Sequence, residues 1–501
     1  MKRMMVGGRG RGVAVERWNQ WDFSKRWKER TQRGCRSGCM FTKATLVVWC
    51  GCLSVLVGGE VDWVALGQGK EDAAGVIEAE LEEKGSVHLP RGTYRLSRTV
   101  EVKLAETGFV AVTGDGTARL VMEGAGPALH FIGTHEGSAA PTTFKAGVWE
   151  RERTPMVSGI EIVGGHAEAD GVKVTKTMQF TLSRVVVRLC RHAVHLAERN
   201  RNVLISDCHL YQNRGIGVFY DHVNLHQSNI VGSHISYNGG GGVVSRGGNV
   251  RNVHIGTCDI EGNHAADGPA TANVLLDSSG GSIGEVAITG CTIQHTNKAP
   301  DSANIRILGA GADPSVERRG GRASTREGNI TITGNVFSDV QVNVEVKDAR
   351  GVVITGNTFW EGFQHDVLVE RSSHVVVSSN NFDRNPRYLV NGFDNAECNG
   401  LVFVDCEDSV VTGNVIGGVW KKRAALDLIR CKRMQVCQNS VLDSDGIGLL
   451  LEEVSESVVT GNLIRDDREG AVNGKPVSLL QRKSGGNLVQ GNLLGNGEKS
   501  E

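Results

Sequence analysis

At 501 residues, with 55 Lys and Arg against 56 Asp and Glu, the chain is close to neutral, which excludes the basic footprint that nucleic-acid binding needs. It carries 66 glycines but 9 prolines and only 5% aromatics. Glycine in this quantity, set between β-branched residues, implies many turns and many short strands rather than a disordered low-complexity chain.

Residues 1–39 hold eleven Lys or Arg and three acids without an apolar period. They read as a disordered stretch or a start assigned too early, with Met40 as the true start. From Met40 one lysine is followed by Ala44–Val57, fourteen mostly apolar residues. That run is short for a membrane span, which needs about 20 residues, and suits the core of a signal peptide over 40–67. Ala65-Leu66-Gly67 offers small residues for cleavage. The expectation is a secreted, periplasmic or extracellular protein with no integral span once the signal is removed.

Residues 70–84 (KEDAAGVIEAELEEK) predict an amphipathic helix. Gly85–Val102 follows, with Val87, Leu89, Pro90, Gly92 and Tyr94 forming a compact phrase. Residues 68–104 therefore form a cap and an entry, and 105–495 a repeat region interrupted by loops at about 131–157, 296–328 and 383–399.

The repeat is the strongest signal. Asn329–Phe337 (NITITGNVF), Val352–Phe359 (VVITGNTF), Val375–Phe382, Val410–Ile416, Val436–Val441, Val458–Ile464 and Leu488–Leu494 are copies of one phrase. Val203–Leu210, Ile230–Ile235, Val253–Ile260 and Val286–Ile293 repeat it with Cys or Ser for Asn. Aligned, they give a column: Val185, Cys208, Ser233, Cys258, Cys291, Asn335, Asn357, Asn380, Asn414, Asn439, Asn462 and Asn492. The spacing is mostly 22 to 25 residues, the length of one coil of three short strands. The same position then stacks at about 4.8 Å, so asparagines can hydrogen-bond from coil to coil and Cys or Ser can fill the same inward corner. The cysteines beyond residue 67 show no zinc pattern. Asn213, Asn238 and Asn263, five residues after the column, read as a left-handed turn. The fold class is all-β: a right-handed parallel β-helix of about twelve coils with an N-terminal cap helix.

Together, the entry phrase and the repeats resemble the pectate-lyase-like β-helix superfamily over roughly residues 70–495. That resemblance implies a fold, since the superfamily spans lyases, glycoside hydrolases, epimerases and proteins without known reaction. The chain lacks the Gly-His-Gly of polygalacturonase-type hydrolases, the Asp-Pro-His-Glu of mannuronan epimerases and the Arg-x-Pro-x-x-Arg of pectate lyases. Asp221-His222 is weakly similar to the Asp-His of the last.

A strand of alternating pattern precedes each phrase, and its outward residues are the places for chemistry. Removal of a proton α to a uronate carboxylate needs a base and a cation that neutralises the developing charge. His195, Asp221, His222, Arg246 and Asp277 are the catalytic candidates, with Tyr220, Arg306, Glu345 and Lys347 as substrate-binding neighbours. No cofactor follows from the residues, although Ca²⁺ can act as neutraliser. Hydrolysis would instead use two carboxylates, for which Asp221 and Asp277 are the available pair. The expected partner is a long, acidic polysaccharide, cleaved by elimination or hydrolysis; the competing expectation is a noncatalytic glycan-binding or cell-surface β-helix.

Overall fold

The computed structural model describes residues 61–501 except 138–139, 266, 297–298, 311–326, 384–398 and 469–476. Residues 1–39, the apolar run at 44–57 and most of the second and third interrupting loops lie outside the described residues. Every strand pairs in parallel with the strand one coil away, in one continuous winding. Three faces result. Face A stacks Val194–Ala197 on Val218–Asp221 and then on Val243–Arg246. Face B stacks Val203–Ser206 on Ser228–Val231 and Val253–Gly256. Face C stacks His209–Tyr211 on His234–Ser236 and Asp259–Glu261. The fold is thus the right-handed parallel β-helix, the sense that crossovers between parallel strands take. Ahead of the first coil that carries a column residue, further coils begin at Ser86–Leu89, Ala111–Thr113 and Met156–Ser158 on face B.

The corner between faces B and C explains the recurring phrase. The residue before each asparagine takes a left-handed backbone, φ 66° at Gly334, 65° at Gly356 and 67° at Gly461, a conformation open to glycine at no steric cost. That bend turns the asparagine inward. Asn335, Asn357, Asn380, Asn414, Asn439 and Asn462 each donate Nδ2–H to the Oδ1 of the asparagine in the next coil, at 2.9–3.0 Å, the last reaching Asn492. The same oxygen takes the backbone N–H of the preceding corner, at 2.9 Å for Asn335 onto Asn357. Cys208, Cys258 and Cys291 fill the corner with Sγ–H aimed at backbone carbonyls. Beside this ladder, Phe337, Phe359 and Phe382 stack with centroids 4.7 and 4.6 Å apart.

A second buried ladder corrects one expectation. Asn213, Asn238 and Asn263 do not occupy the left-handed turn; Gln212, Tyr237 and Gly262, one residue earlier, do. The asparagines point inward instead, and their amides run through Asn273, Asn304 and Asn343 to the carboxylate of Asp366, with Nδ2 to Oδ1 distances of 2.7–2.9 Å. Because a buried polar group without a partner costs about 1–3 kcal/mol, two such ladders fix the stacking register of the coils.

The N-terminal end is covered as the sequence implies. A helix at Ala74–Lys84 lays Ala74, Ile77 and Leu81 on the first coil, whose strands Ser86–Leu89 and Gly92–Leu96 bury Val87, Leu89 and Tyr94. The packed body begins a little earlier than Gln68. A short helix, Trp63–Leu66, sits against Tyr94, whose hydroxyl donates to the Trp63 carbonyl at 3.2 Å. Gly92 is required here, because a Cβ would stand 2.7 Å from the Gly67 Cα. Among the described residues no helix is long and apolar enough to cross a membrane.

Candidate functional site

Face A carries two outward rows. One runs Glu101, His130, Lys173, His195, Phe219, Val244, Leu275, Arg306, Glu345; the other runs Thr175, Ala197, Asp221, Arg246, Asp277, Leu308, Lys347. The structure therefore places His195, Asp221, Arg246 and Asp277 on one face in successive coils, with His222 at the left-handed bend, φ 44°, where the strand Ile216–Val231 leaves that face.

The tightest arrangement is at Asp221. Its Oδ2 lies 3.0 Å from His195 Nε2 and its Oδ1 2.8 Å from His222 Nδ1. Burial raises this carboxyl, but the hydrogen bonds from His222 and His195 outweigh that and hold it below the usual carboxylate range. An ionised Asp221 accepts from both rings, which fixes both tautomers: His195 donates through Nε2 and His222 through Nδ1. The two imidazoles then differ. His195 is only 12% exposed, and its Nδ1 is buried without a partner among the described residues. It is wedged beside Phe219, with ring centroids 5.4 Å apart, and His192, at 5.7 Å. His222 is 72% exposed and turns the lone pair of Nε2 outward. It leans on Gly247 of the next coil, where a Cβ would stand 2.7 Å from its Cδ2. His222 is thus an imidazole oriented by a carboxylate with its free nitrogen toward solvent, and His195 anchors that carboxylate from the other side.

Arg246 follows Asp221 in the row, half-buried, and no described side chain pairs with it. Asp277 follows Arg246, but its Oδ1 accepts the N–H of Ser279 at 2.9 Å and so serves the turn. The structure corrects the outward reading of Tyr220. That residue occupies the inward row between Leu196 and Ser245; it is buried, and its hydroxyl pairs with Ser228 Oγ at 2.8 Å. The sequence error is one residue of strand register, which exchanges the faces. Arg306, Glu345 and Lys347 form an ion-pair cluster: Arg306 Nε donates to Glu345 Oε2 and Lys347 Nζ to Glu345 Oε1. Burial raises the Glu345 carboxyl, and the two cations more than reverse it. Arg306 and Glu345 are 8% and 3% exposed, so they do not face a bulky ligand.

Sequence reasoning missed His192, Lys173, His130 and Phe219. His192 lies in the turn before its strand and accepts the Ile216 N–H on Nδ1 at 3.1 Å; burial lowers its pKa to about 4, so the ring is neutral. Lys173 and His130 were legible once His195 was chosen, because they hold the same position one and two coils earlier.

The fold is a parallel β-helix with a carboxylate-oriented imidazole on its outer face. Within that class, the chain matches over residues 274–501 the family described as NosD, periplasmic copper-binding protein. No curated protein matches it in sequence. Among solved structures, a tailspike protein of bacteriophage CBA120 is 13% identical at a TM-score of 0.44, over 85% of this chain and 61% of its own. Gene product 12 of bacteriophage phi29 is 13% identical at 0.49, over 85% and 54%. The mannuronan C-5 epimerase A-module of Azotobacter vinelandii is 14% identical at 0.38, over 88% and 98%. The chain thus spans less than two thirds of either phage protein.

The described residues do not present the clustered His and Cys ligands of a copper centre. Among them no three His, Cys, Asp or Glu side chains converge as metal ligands. In the matched stretch, Cys291, Cys406 and Cys431 are buried and aim Sγ–H at backbone carbonyls.

Proposed function

We propose that face A binds a long, acidic polysaccharide and that His222, oriented by Asp221, is the base of a β-elimination. Asp221 held between two imidazoles, one buried and one open to solvent, is the observation that carries this reading. In the reaction, His222 Nε2 takes the proton from the carbon α to a uronate carboxylate. The C–H electron pair becomes the new C=C bond, the glycosidic C–O bond on the neighbouring carbon breaks, and the departing oxygen takes a proton from water or from the imidazolium. Arg246 lies one coil away, about 5 Å along the ladder, and offers its guanidinium to the substrate carboxylate as charge builds. Hydrolysis is less well served, because it needs a protonated carboxyl as acid. Asp221 is held ionised, and Asp277 is engaged by its own turn. A secreted or periplasmic site of action, expected from residues 40–67, belongs to the same proposal.

The test is a panel of pectate, alginate, glycosaminoglycans and sulfated algal polymers, with and without chelator. Products absorbing in the ultraviolet at their unsaturated ends, lost in His222→Gln, support elimination. Reducing ends without that absorbance would point to hydrolysis, and binding without products to the noncatalytic alternative.

A further inference from the structure

Face A changes character at one coil. In the row through His195, the residues Lys173, His195 and Phe219 keep part of their surface exposed, whereas Val244 and Leu275, next in register, are buried although they point away from the coil interior. They pack with Ile216, Ala272 and Ala303 into an apolar cluster on the outside of the helix. The cover comes from two turns between faces C and A, around Thr271–Ala272 and Asp301–Ala303. Both turns are fastened by one side chain. Arg306 donates from Nη1 to the Thr271 carbonyl at 3.3 Å, and from Nη2 to the carbonyl and carboxylate of Asp301 at 2.9 and 3.0 Å. Its Nε is taken by Glu345. A guanidinium engaged in this way has almost no donor left for a ligand; its work is to hold the two turns over the row.

We propose that Arg306 and the turns it fastens close the glycan groove on the C-terminal side of His222, so that the polymer is held by one chain end and runs from His222 toward Lys173 and His130. This rests on face A being the glycan groove. Residues i and i+2 of a strand stand about 7 Å apart, so the two outward rows together form a floor about one sugar ring wide. Before His222 the row of His195, Lys173 and His130 stays partly open and the small side chain of Ala197 keeps the floor low beside it, whereas Thr175 is buried against His130. Beyond it only the shelf of Arg246 and Asp277 stays open. Reach toward the N-terminal coils is then limited by polymer length, and reach toward the C-terminal coils by the cover.

The experiment titrates the protein into oligogalacturonate and oligomannuronate carrying a bulky fluorophore at either the reducing or the non-reducing end, read by fluorescence polarisation. A one-ended groove tolerates the label at one end and loses about tenfold in affinity with it at the other, ~1.4 kcal/mol. In Asp301→Ala, whose side chain is 69% exposed and removable without touching the core, that ratio should fall, together with amide exchange protection at 299–308. Equal affinities for both labels in the unaltered protein overturn the inference and leave the groove standing. Failure of either oligomer to bind, while every polymer of the panel is also silent, overturns the glycan reading, and this inference with it.

Discussion

Replacing Asn380 by alanine isolates what one rung of the inner ladder contributes. The side chain makes four hydrogen bonds: Oδ1 accepts the backbone N–H of Asn357 at 2.9 Å and its Nδ2–H at 3.0 Å, and Nδ2 donates to the Ile354 carbonyl and to Asn414 Oδ1, both at 3.0 Å. Asn357 Nδ2 retains two other carbonyls, of Ile332 and Thr355, so its loss is partial. The Asn357 backbone N–H is left buried and orphaned, at about 1–3 kcal/mol, and the remaining lost bonds add about 1 kcal/mol in sum. The expected cost of Asn380→Ala is therefore about 3 kcal/mol, read as a fall in the unfolding free energy in guanidinium chloride at unchanged slope. Asn380→Ser should cost about half as much, because a hydroxyl can still take that N–H, as Ser233 does for Cys208 at 3.1 Å. An alanine cost below about 1 kcal/mol, or a serine as costly as alanine, would refute the argument that the corner oxygen is what fixes the stacking.

Three further outcomes follow from the site. Tyr220→Phe should lower stability by about 1 kcal/mol through the lost bond to Ser228, and should leave glycan affinity unchanged in the titration above, because the ring faces inward. Gly247→Ala, at φ 57° and against the His222 ring, should lower kcat at least tenfold, about 1.4 kcal/mol, with KM little changed, since it displaces the base and not the carboxylate anchor. His192 has a folded pKa of about 4 against 6.5 for an ordinary imidazole; the unfolded chain binds more protons between these values. Stability should therefore be complete above pH 6.5 and decline as pH falls toward 4, and His192→Gln should flatten part of that decline in a series of denaturation curves.

What was legible in the sequence had a short local phrase that recurs with few insertions. The Asn335–Asn492 column could be read because four of its six spacings fall between 22 and 25 residues and its left-handed position favours glycine, which leaves a Gly-Asn mark. The second ladder could not, because inserted turns separate Asn263 from Asn273 by 10 residues, Asn273 from Asn304 by 31 and Asn304 from Asn343 by 39. The N-terminal coils escaped notice for another reason: their corners carry no asparagine, and the strand Ala111–Met122 bends between two faces at Gly114-Asp115-Gly116, with φ 78° at Gly116, a mark unlike the Gly-Asn of the later coils. On face A, alternation placed His195, Asp221, Arg246 and Asp277 outward, as they stand. Tyr220 was lost to a one-residue slip. The cover over Val244 and Leu275 was invisible, since nothing local distinguishes an outward valine that lies under a turn from one that lies under water.

The central claim is that an acidic glycan lies across Asp221, His222 and Arg246 on the outer face of the coils. A crystal structure of the protein soaked with an oligouronate tests it most directly. The expected density shows a sugar carboxylate on the Arg246 guanidinium and a ring carbon within hydrogen-bonding reach of His222 Nε2. A ligand seated on face B or face C, with Arg246 untouched, would contradict it.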